Sequence, residues 1–327
     1  MSIKSVDPAK DILKARPNLK PRSIDQYVSQ LYRLQKMFGV EAGDKDFNFL
    51  GDFDKVKKGL SEFNYLSQRN FVNAIIVLLM ALNIDKKLID QYVKLRDKFN
   101  DEYNESNLTG VISDKQEPNF TTSEEIFRML DMMKDDLKNT DRTNLTKKEK
   151  QLLQAYVLFS IYARMPLRNE VGGGMKSIPR SDFPMLSQKE KTENNFLIVG
   201  RDRMYFLLND YKTNKNYGAL EIDIKDKELK SILKNWIYKV QGYGTLFKTS
   251  TGKPITRIEL SKIFLKYSEK YLNKKISTNL LRKIYLSSKY AVEDGLQDQL
   301  KNLEADNQVM GHSKDVALNV YIKKPKK

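Results

Sequence analysis

Residues 277–290 read S-T-N-L-L-R-K-I-Y-L-S-S-K-Y and residues 309–323 read V-M-G-H-S-K-D-V-A-L-N-V-Y-I-K, with an acidic-polar run between them. Arg282, the only histidine of the chain (His312) and Tyr321, nine positions after that histidine, all fall in this segment. An arginine, a histidine and a tyrosine are what metal-free phosphodiester chemistry asks for. The first two supply charge and donors for the transition-state oxygens, and the tyrosine hydroxyl can act as nucleophile. Ser277-Thr278 is placed to cap a helix bearing Arg282. The G-H-S turn followed by V-A-L-N-V-Y-I predicts a loop entering a helix, with His312 on the loop and Tyr321 about two turns further along.

The chain has 327 residues, enough for two domains that each bury a core. Lysine and arginine total 58 against 42 aspartate and glutamate, a net charge of +16. An excess of that size favours a polyanionic partner, nucleic acid before an acidic membrane. No cysteine is present, so disulfides and thiolate metal sites are excluded. With a single histidine, a structural zinc site is excluded in practice. The N-terminus M-S-I-K-S-V-D-P-A-K-D lacks the apolar core of a secretory signal, and no apolar run is long enough to span a bilayer. A soluble protein that makes no membrane contact and works wherever its DNA lies is expected.

Upstream, the periodicity predicts a small helical bundle. After Pro21, Ser23 and Gln26 have capping-box spacing, and Tyr27, Leu31, Leu34 and Phe38 recur on one face until Gly39. Further helices are expected at 54–63, 67–82 and 86–103. Their interspersed basic residues fit either a surface for DNA or an ordinary solvated face. Periodicity stops between Asn104 and Thr122, a polar stretch with Gly110 and Pro118, so a linker is expected over 106–122 between domains 1–105 and 123–327.

In the second domain, helical patterns at 123–137 and 147–163 lead into R-M-P-L-R-N-E-V-G-G-G. Pro166 and the three glycines place Arg168 at an irregular turn close to a helix end, with Arg164 as the other candidate arginine. Apolar runs at 196–199, 204–209 and 219–224 predict a small antiparallel sheet, and its second hairpin loop carries Lys212 and Lys215. A lysine at such a tip is ordinarily a solvated surface charge. Helices follow at 228–240, where Trp236 is read as core, and at 256–272. The expected class is mainly α with a small antiparallel sheet (α+β).

The segment from 277 to 323 resembles the C-terminal half of the tyrosine recombinase (phage integrase) catalytic domain, whose motif runs His-x-x-Arg, Leu-Gly-His-Ser, then Tyr. K-P-R-S-I-D-Q-Y-V-S-Q-L resembles the opening helix of that family's helical core-binding domain, which clamps DNA. The resemblance implies catalytic roles for Tyr321, Arg168, Arg282 and His312, and for Lys212 as the catalytic lysine of the loop after the second strand. Three departures stand out. Asn279 replaces the first histidine of His-x-x-Arg and cannot titrate near neutral pH, although it can still donate to a phosphate oxygen. Met165-Pro166 replaces the small residues before Arg168, and Glu170 falls two positions after that arginine where the family has an acidic residue at three. The stretch 172–194 reads as an insertion.

The chemistry so implied is transesterification without metal, nucleotide or other cofactor, through a 3′-phosphotyrosine, by a homo-oligomer (a tetramer) on paired sites in double-stranded DNA. A site-specific recombinase or integrase is the first reading, a type IB topoisomerase the second, and a DNA-binding relative without chemistry the third. The two-domain layout favours the first. Composition and a loose likeness to integrases of large DNA viruses and virophages imply a viral or mobile-element origin. The six residues after Tyr321, I-K-K-P-K-K, leave little to reach a neighbouring protomer, so protomer contacts are expected elsewhere, 293–307 included. The charge alone makes one prediction. Duplex binding should weaken steeply with salt, log K falling linearly with log salt concentration in a fluorescence-anisotropy titration, and a flat dependence would remove the nucleic-acid reading.

Overall fold

The computed structural model describes residues 3–108, 112–142, 144–290, 296–313 and 316–323. Two compact units make up the chain, Met1–Thr109 and Gly110–Lys327. In the first, helices α1 (Pro8–Ala15), α2 (Pro21–Met37), α3 (Phe53–Leu60), α4 (Tyr65–Ala81) and α5 (Lys86–Leu108) surround a core that includes Leu31, Leu34, Val56, Phe71, Leu78 and Tyr92. Asp7, Asp52 and Asn64 cap α1, α3 and α4 by accepting backbone N–H groups. The Ser23–Gln26 capping box is not formed. Helix α2 begins two residues earlier, at Pro21, whose fixed φ suits a first helical position and whose missing N–H costs nothing there.

The second unit carries α6 (Ser123–Asp136) and α7 (Lys147–Arg164), strand β1 (Lys176–Pro179), the short helix α8 (Gln188–Glu193), strands β2 (Phe196–Val199) and β3 (Met204–Leu208), and α9 (Asn214–Tyr217). Strand β4 (Leu220–Asp223), α10 (Lys227–Trp236), β5 (Gly244–Thr245), α11 (Arg257–Leu272), α12 (Thr278–Lys289) and α13 (Leu296–Met310) complete it. Threonine–glutamate capping boxes start α7 (Thr146, Glu149) and α11 (Thr256, Glu259). Trp236 is core as expected, and its Nε1–H donates to the carbonyl of Leu246 at 2.9 Å.

Among the described residues the strands form one sheet of order β4-β3-β2-β1-β5. Strands β2, β3 and β4 are the antiparallel meander the sequence predicts, with Phe196 opposite Leu207 and Leu208 opposite Leu220. The sheet as a whole is mixed rather than antiparallel, because β1 pairs β2 in parallel, Lys176 opposite Phe196. Strand β1 lies in the stretch read as an insertion. Its four residues carry too little apolar pattern to announce a strand, and the segment from β1 to β2 is a crossover. That crossover has a packing role. Leu197, Val199, Met204 and Phe206 face the main core, whereas Phe196, Ile198, Tyr205 and Leu207 point to the other face and are covered by Ile178, Phe183 and Leu186. Burial on both faces is why β2 and β3 are unbroken apolar runs.

Two local arrangements anchor the segments around α12 and the β3–β4 loop. Residues 112–122, within the stretch read as a linker, lie on the second unit: Ile112 joins its core, Lys274 Nζ donates to the carbonyls of Pro118 and Phe120, and Gln116 Oε1 accepts from Lys283 Nζ at 2.7 Å. At the root of the β3–β4 loop, Asn195, only 6% exposed, accepts the N–H groups of Asn209 and Asp210 at 2.7 and 2.8 Å and donates to the carbonyl of Asp210 at 2.9 Å. Replacing Asn195 by Ala leaves these backbone groups unpaired, so urea unfolding of the full chain should show a midpoint lowered by about 2–3 kcal/mol equivalent with unchanged slope. A loss of a few tenths would mean that water replaces the amide.

Candidate active site

Arg282 sits one turn into α12, whose start is fixed by Ser277 accepting the Leu280 N–H. The helix turns that position inward, and the side chain is 5% exposed. Burial, with a smaller contribution from nearby Arg168, lowers its pKa, while Tyr321 and Glu170 act in the opposite sense. Such a guanidinium keeps its charge and lacks a counter-ion in hydrogen-bond contact among the described residues.

Arg168 follows the end of α7, where Met165-Pro166 breaks the helix, and heads a short 3-10 turn over Asn169–Gly172. Its carbonyl accepts the hydroxyl of fully buried Tyr162, and its Nη2 donates to the carbonyl of Gly311 at 3.4 Å. Arg164, the other candidate, is engaged away from this cluster, bound to Glu228 and Asp226 and lying over the ring of Phe127. Glu170 is 6% exposed. Burial pushes its carboxyl up, and Arg168, Arg257 and Arg282 pull it back down.

His312 stands on the turn that ends α13. Gly311 takes φ +63° there, and the His312 N–H closes the turn on the carbonyl of Asn307 at 3.2 Å. The ring Nδ1 lies 3.2 Å from the Ser313 carbonyl, which can only accept, so Nδ1 carries the proton and Nε2 the lone pair. Burial, then Arg282 and Arg168, lower the imidazole pKa to about 4. The ring is therefore neutral near pH 7.

Tyr321 ends a π-helical turn, Ala317–Tyr321, instead of the α-helix the sequence suggests. Its ring stacks on His312 with centroids 4.7 Å apart and planes at 9°, and the Arg282 guanidinium lies 4.4 Å from the same centroid. Arg282 Nη1 donates to Tyr321 Oη at 3.2 Å. Nucleophile candidate, arginine and histidine thus meet within one chain.

Arg282 Nε and Nη2 and His312 Nε2, and Arg168 Nε on the residue bound to Gly311, are buried and have no hydrogen-bond partner among the described residues. Orphaned buried polar nitrogens are rare in folded proteins; the three arginine nitrogens can donate to an anion, whereas His312 Nε2 in the neutral ring can only accept. Lys212 and Asn279 do not join the cluster. Both side chains are exposed and make no hydrogen bond among the described residues. The loop of Lys212 nonetheless touches the site through its neighbour Thr213, which abuts Gly311. Tyr162, Thr213 and Asn195, which meet the site's backbone, carried no sequence signal, because each acts on main chain outside its own helical turn or strand, from six residues away for Tyr162 to the far end of the unit for Thr213.

No protein-family model and no curated protein matches the sequence. Solved structures do. A lambda integrase dimer bound to a COC′ core site is similar over 95% of this chain and 92% of that one, at 10% identity and TM-score 0.53. The Tn1549 transposon integrase in complex with transposon right end DNA covers 100% of this chain and 96% of its own, at 14% identity and TM-score 0.52. This chain has the tyrosine-recombinase fold. A third tyrosine-recombinase structure, XerH bound to a palindromic difH substrate, is similar over 96% of this chain and 79% of its own, at 16% identity and TM-score 0.50. In this fold the lone histidine has a measurable signature. The unfolded ring titrates near 6.5 and the folded one near 4, so between those values the unfolded chain holds a proton that the folded chain lacks. This contribution to stability is complete above the unfolded value and falls as pH drops toward the folded one. Between about pH 7 and pH 5, wild type should therefore lose more stability than His312→Gln in urea titrations, and equal losses would show a hydrated imidazole.

Proposed function

We propose that this protein is a site-specific DNA recombinase or integrase that cuts and rejoins strands through a covalent 3′-phosphotyrosine formed by Tyr321. The observation that carries the proposal is the set of buried nitrogens of Arg168, Arg282 and His312 that lack a partner among the described residues, with Arg282 and His312 lying against the tyrosine ring and Arg168 bound to Gly311 beside that histidine. Tyr321 Oη attacks the scissile phosphorus in line, a P–O bond to tyrosine forms, and the bond to the 5′-oxygen breaks. His312 takes up the phenolic proton at Nε2 and, once charged, donates to a non-bridging oxygen beside the two arginines. Arginine suits that role because its fork stays charged and donates in pairs, and lysine suits protonation of the leaving group because its proton can leave. Lys212 gives that proton to the 5′-oxygen. Asn279, exposed at the start of α12, offers an amide to the flanking strand rather than a titrating group. The covalent link conserves the energy of the broken bond, so rejoining to another 5′-hydroxyl requires no nucleotide.

The helices of Met1–Thr109 act as the core-binding domain, Gly110–Lys327 as the catalytic domain, and the net charge of +16 serves duplex DNA. The lambda integrase neighbour is a dimer on its core site. Protomers of this chain likewise pair on duplex sites, four of them when two sites are joined. Among the described residues no helix is long and apolar enough to cross a membrane.

The test is a suicide substrate nicked beside the scissile phosphate, incubated in EDTA and resolved on a denaturing gel. Wild type should form a protein–DNA adduct, and Tyr321→Phe none while still binding DNA. Arg282→Ala should form one about a hundredfold more slowly, since a single transition-state donor is removed. An adduct in Tyr321→Phe would move the nucleophile to another tyrosine, and no adduct in wild type would leave a DNA-binding protein without this chemistry. Strand exchange between two sites, as opposed to relaxation of supercoils by a monomer, then separates a recombinase from a type IB topoisomerase.

A further inference from the structure

Thr213 stands beside Lys212 at the N-cap of the short helix α9, where threonine ordinarily accepts a backbone N–H. Here its side chain makes no cap bond. Its Oγ1 is buried and unpartnered, although threonine hydroxyls out of water normally find a partner. It is turned instead toward the turn that carries His312. A Cβ built on Gly311 would collide with Thr213 Oγ1 and stand 3.4 Å from Thr213 Cβ, so only glycine admits this approach. Gly311 also has φ +63°, and its carbonyl accepts from Arg168. Lys212 itself is exposed and has no hydrogen bond among the described residues to fix it.

We infer that Thr213 is a positioning residue: by seating its side chain on Gly311 it locks the β3–β4 loop to the His312 turn and so sets where Lys212 delivers its proton. This rests on the reading of Lys212 as the acid for the leaving 5′-oxygen. Tyr211, the residue before the lysine, is buried in the main core and its hydroxyl donates to the carbonyl of Gly218, so what ties the tip to the His312 turn is the residue after the lysine. Asn195 pins the loop's root at Asn209 and Asp210, and Thr213 against Gly311 pins the residue next to the lysine. The glycine of G-H-S is thus required twice, for its own backbone angle and for the side chain across from it.

A substrate with a 5′-bridging phosphorothiolate isolates this role, because sulfur leaves without a proton. Thr213→Gly and Gly311→Ala should each slow adduct formation on ordinary DNA by about a hundredfold, the scale of a general acid's contribution. Both should return to within a few-fold of wild type on the phosphorothiolate, and DNA binding should be unchanged. The double variant Thr213→Gly with Gly311→Ala removes the clash but keeps alanine at a left-handed φ, so on ordinary DNA it should be faster than Gly311→Ala alone without exceeding Thr213→Gly, which separates the clash from the backbone strain. Equal slowing on both substrates, or no slowing by Thr213→Gly, overturns the inference while leaving the phosphotyrosine chemistry intact. Lys212→Ala run in parallel must show the same rescue; if wild type reacts but Lys212→Ala is not rescued, the acid assignment falls and this inference with it. Absence of any wild-type adduct overturns the proposed function itself.

Discussion

Arg282 is withdrawn from water and, among the described residues, is met by the hydroxyl and π-face of Tyr321 and hydrogen-bonded to no carboxylate. Removing such a charge from water costs several kcal/mol even after the protein relaxes. Arg168 adds a like charge nearby, and the buried carboxyl of Glu170, itself pushed toward its neutral form, offsets the pair only through space. An apolar side chain at 282 would fold more comfortably. An anion placed beside the two guanidinium groups would relieve that imbalance, because their charges are already stripped of water.

The surrounding structure keeps that imbalance in place. Helix α7 is buried on nearly every side, and its Phe159 and Tyr162 meet Phe264 of α11 edge to face at 4.5 and 4.9 Å. The Tyr162 hydroxyl then holds the carbonyl of Arg168 just beyond the helix end. From the other side, Lys283 Nζ donates to Gln116 Oε1, fastening α12 next to Arg282 to the 112–122 segment. Burial, and secondarily Lys323, push the Lys283 amine down to about 8, so this fastening is partly a neutral hydrogen bond in alkaline solution. The sheet supplies the remaining element, a hairpin loop rooted by Asn195. Its rear face needs cover because β2 and β3 are apolar on both sides, and the crossover through α8 provides it.

Much of this was legible in the residues. Spacing and caps gave α2 to α7 and α10 to α12 to within a few positions, because those signals are local: a side chain meeting a backbone group three residues away, or a stripe every turn; α1, α8 and α13 were not read from the sequence. Arg168, Lys212, Arg282, His312 and Tyr321 could be singled out as candidates for another reason, since chemistry restricts which residue types can hold a phosphate and attack it; the structure puts Arg282 and His312 against Tyr321 and Arg168 on Gly311, and leaves Lys212 exposed. Strand β1 was not, because a short parallel strand is defined by a partner beyond a crossover, and neither was the π-turn beneath Tyr321, whose hydrogen bonds depend on packing against Leu286 and Tyr290. The binding of 112–122 to the second unit escaped for the same cause.

By itself, then, the sequence determined the helical class, the β2–β4 meander, the basic charge and a short list of candidate residues for phosphodiester chemistry. Only the tertiary structure decided that Arg168 and not Arg164 reaches the His312 turn, at Gly311, that Lys212 and Asn279 stay exposed, and that Gly311 is matched to Thr213. The division follows the range of the forces. Propensity, capping and charge act within a few residues of chain or through composition, whereas burial without a partner is a property of what surrounds a group, and what surrounds Arg282 comes from positions as distant as 168 and 321.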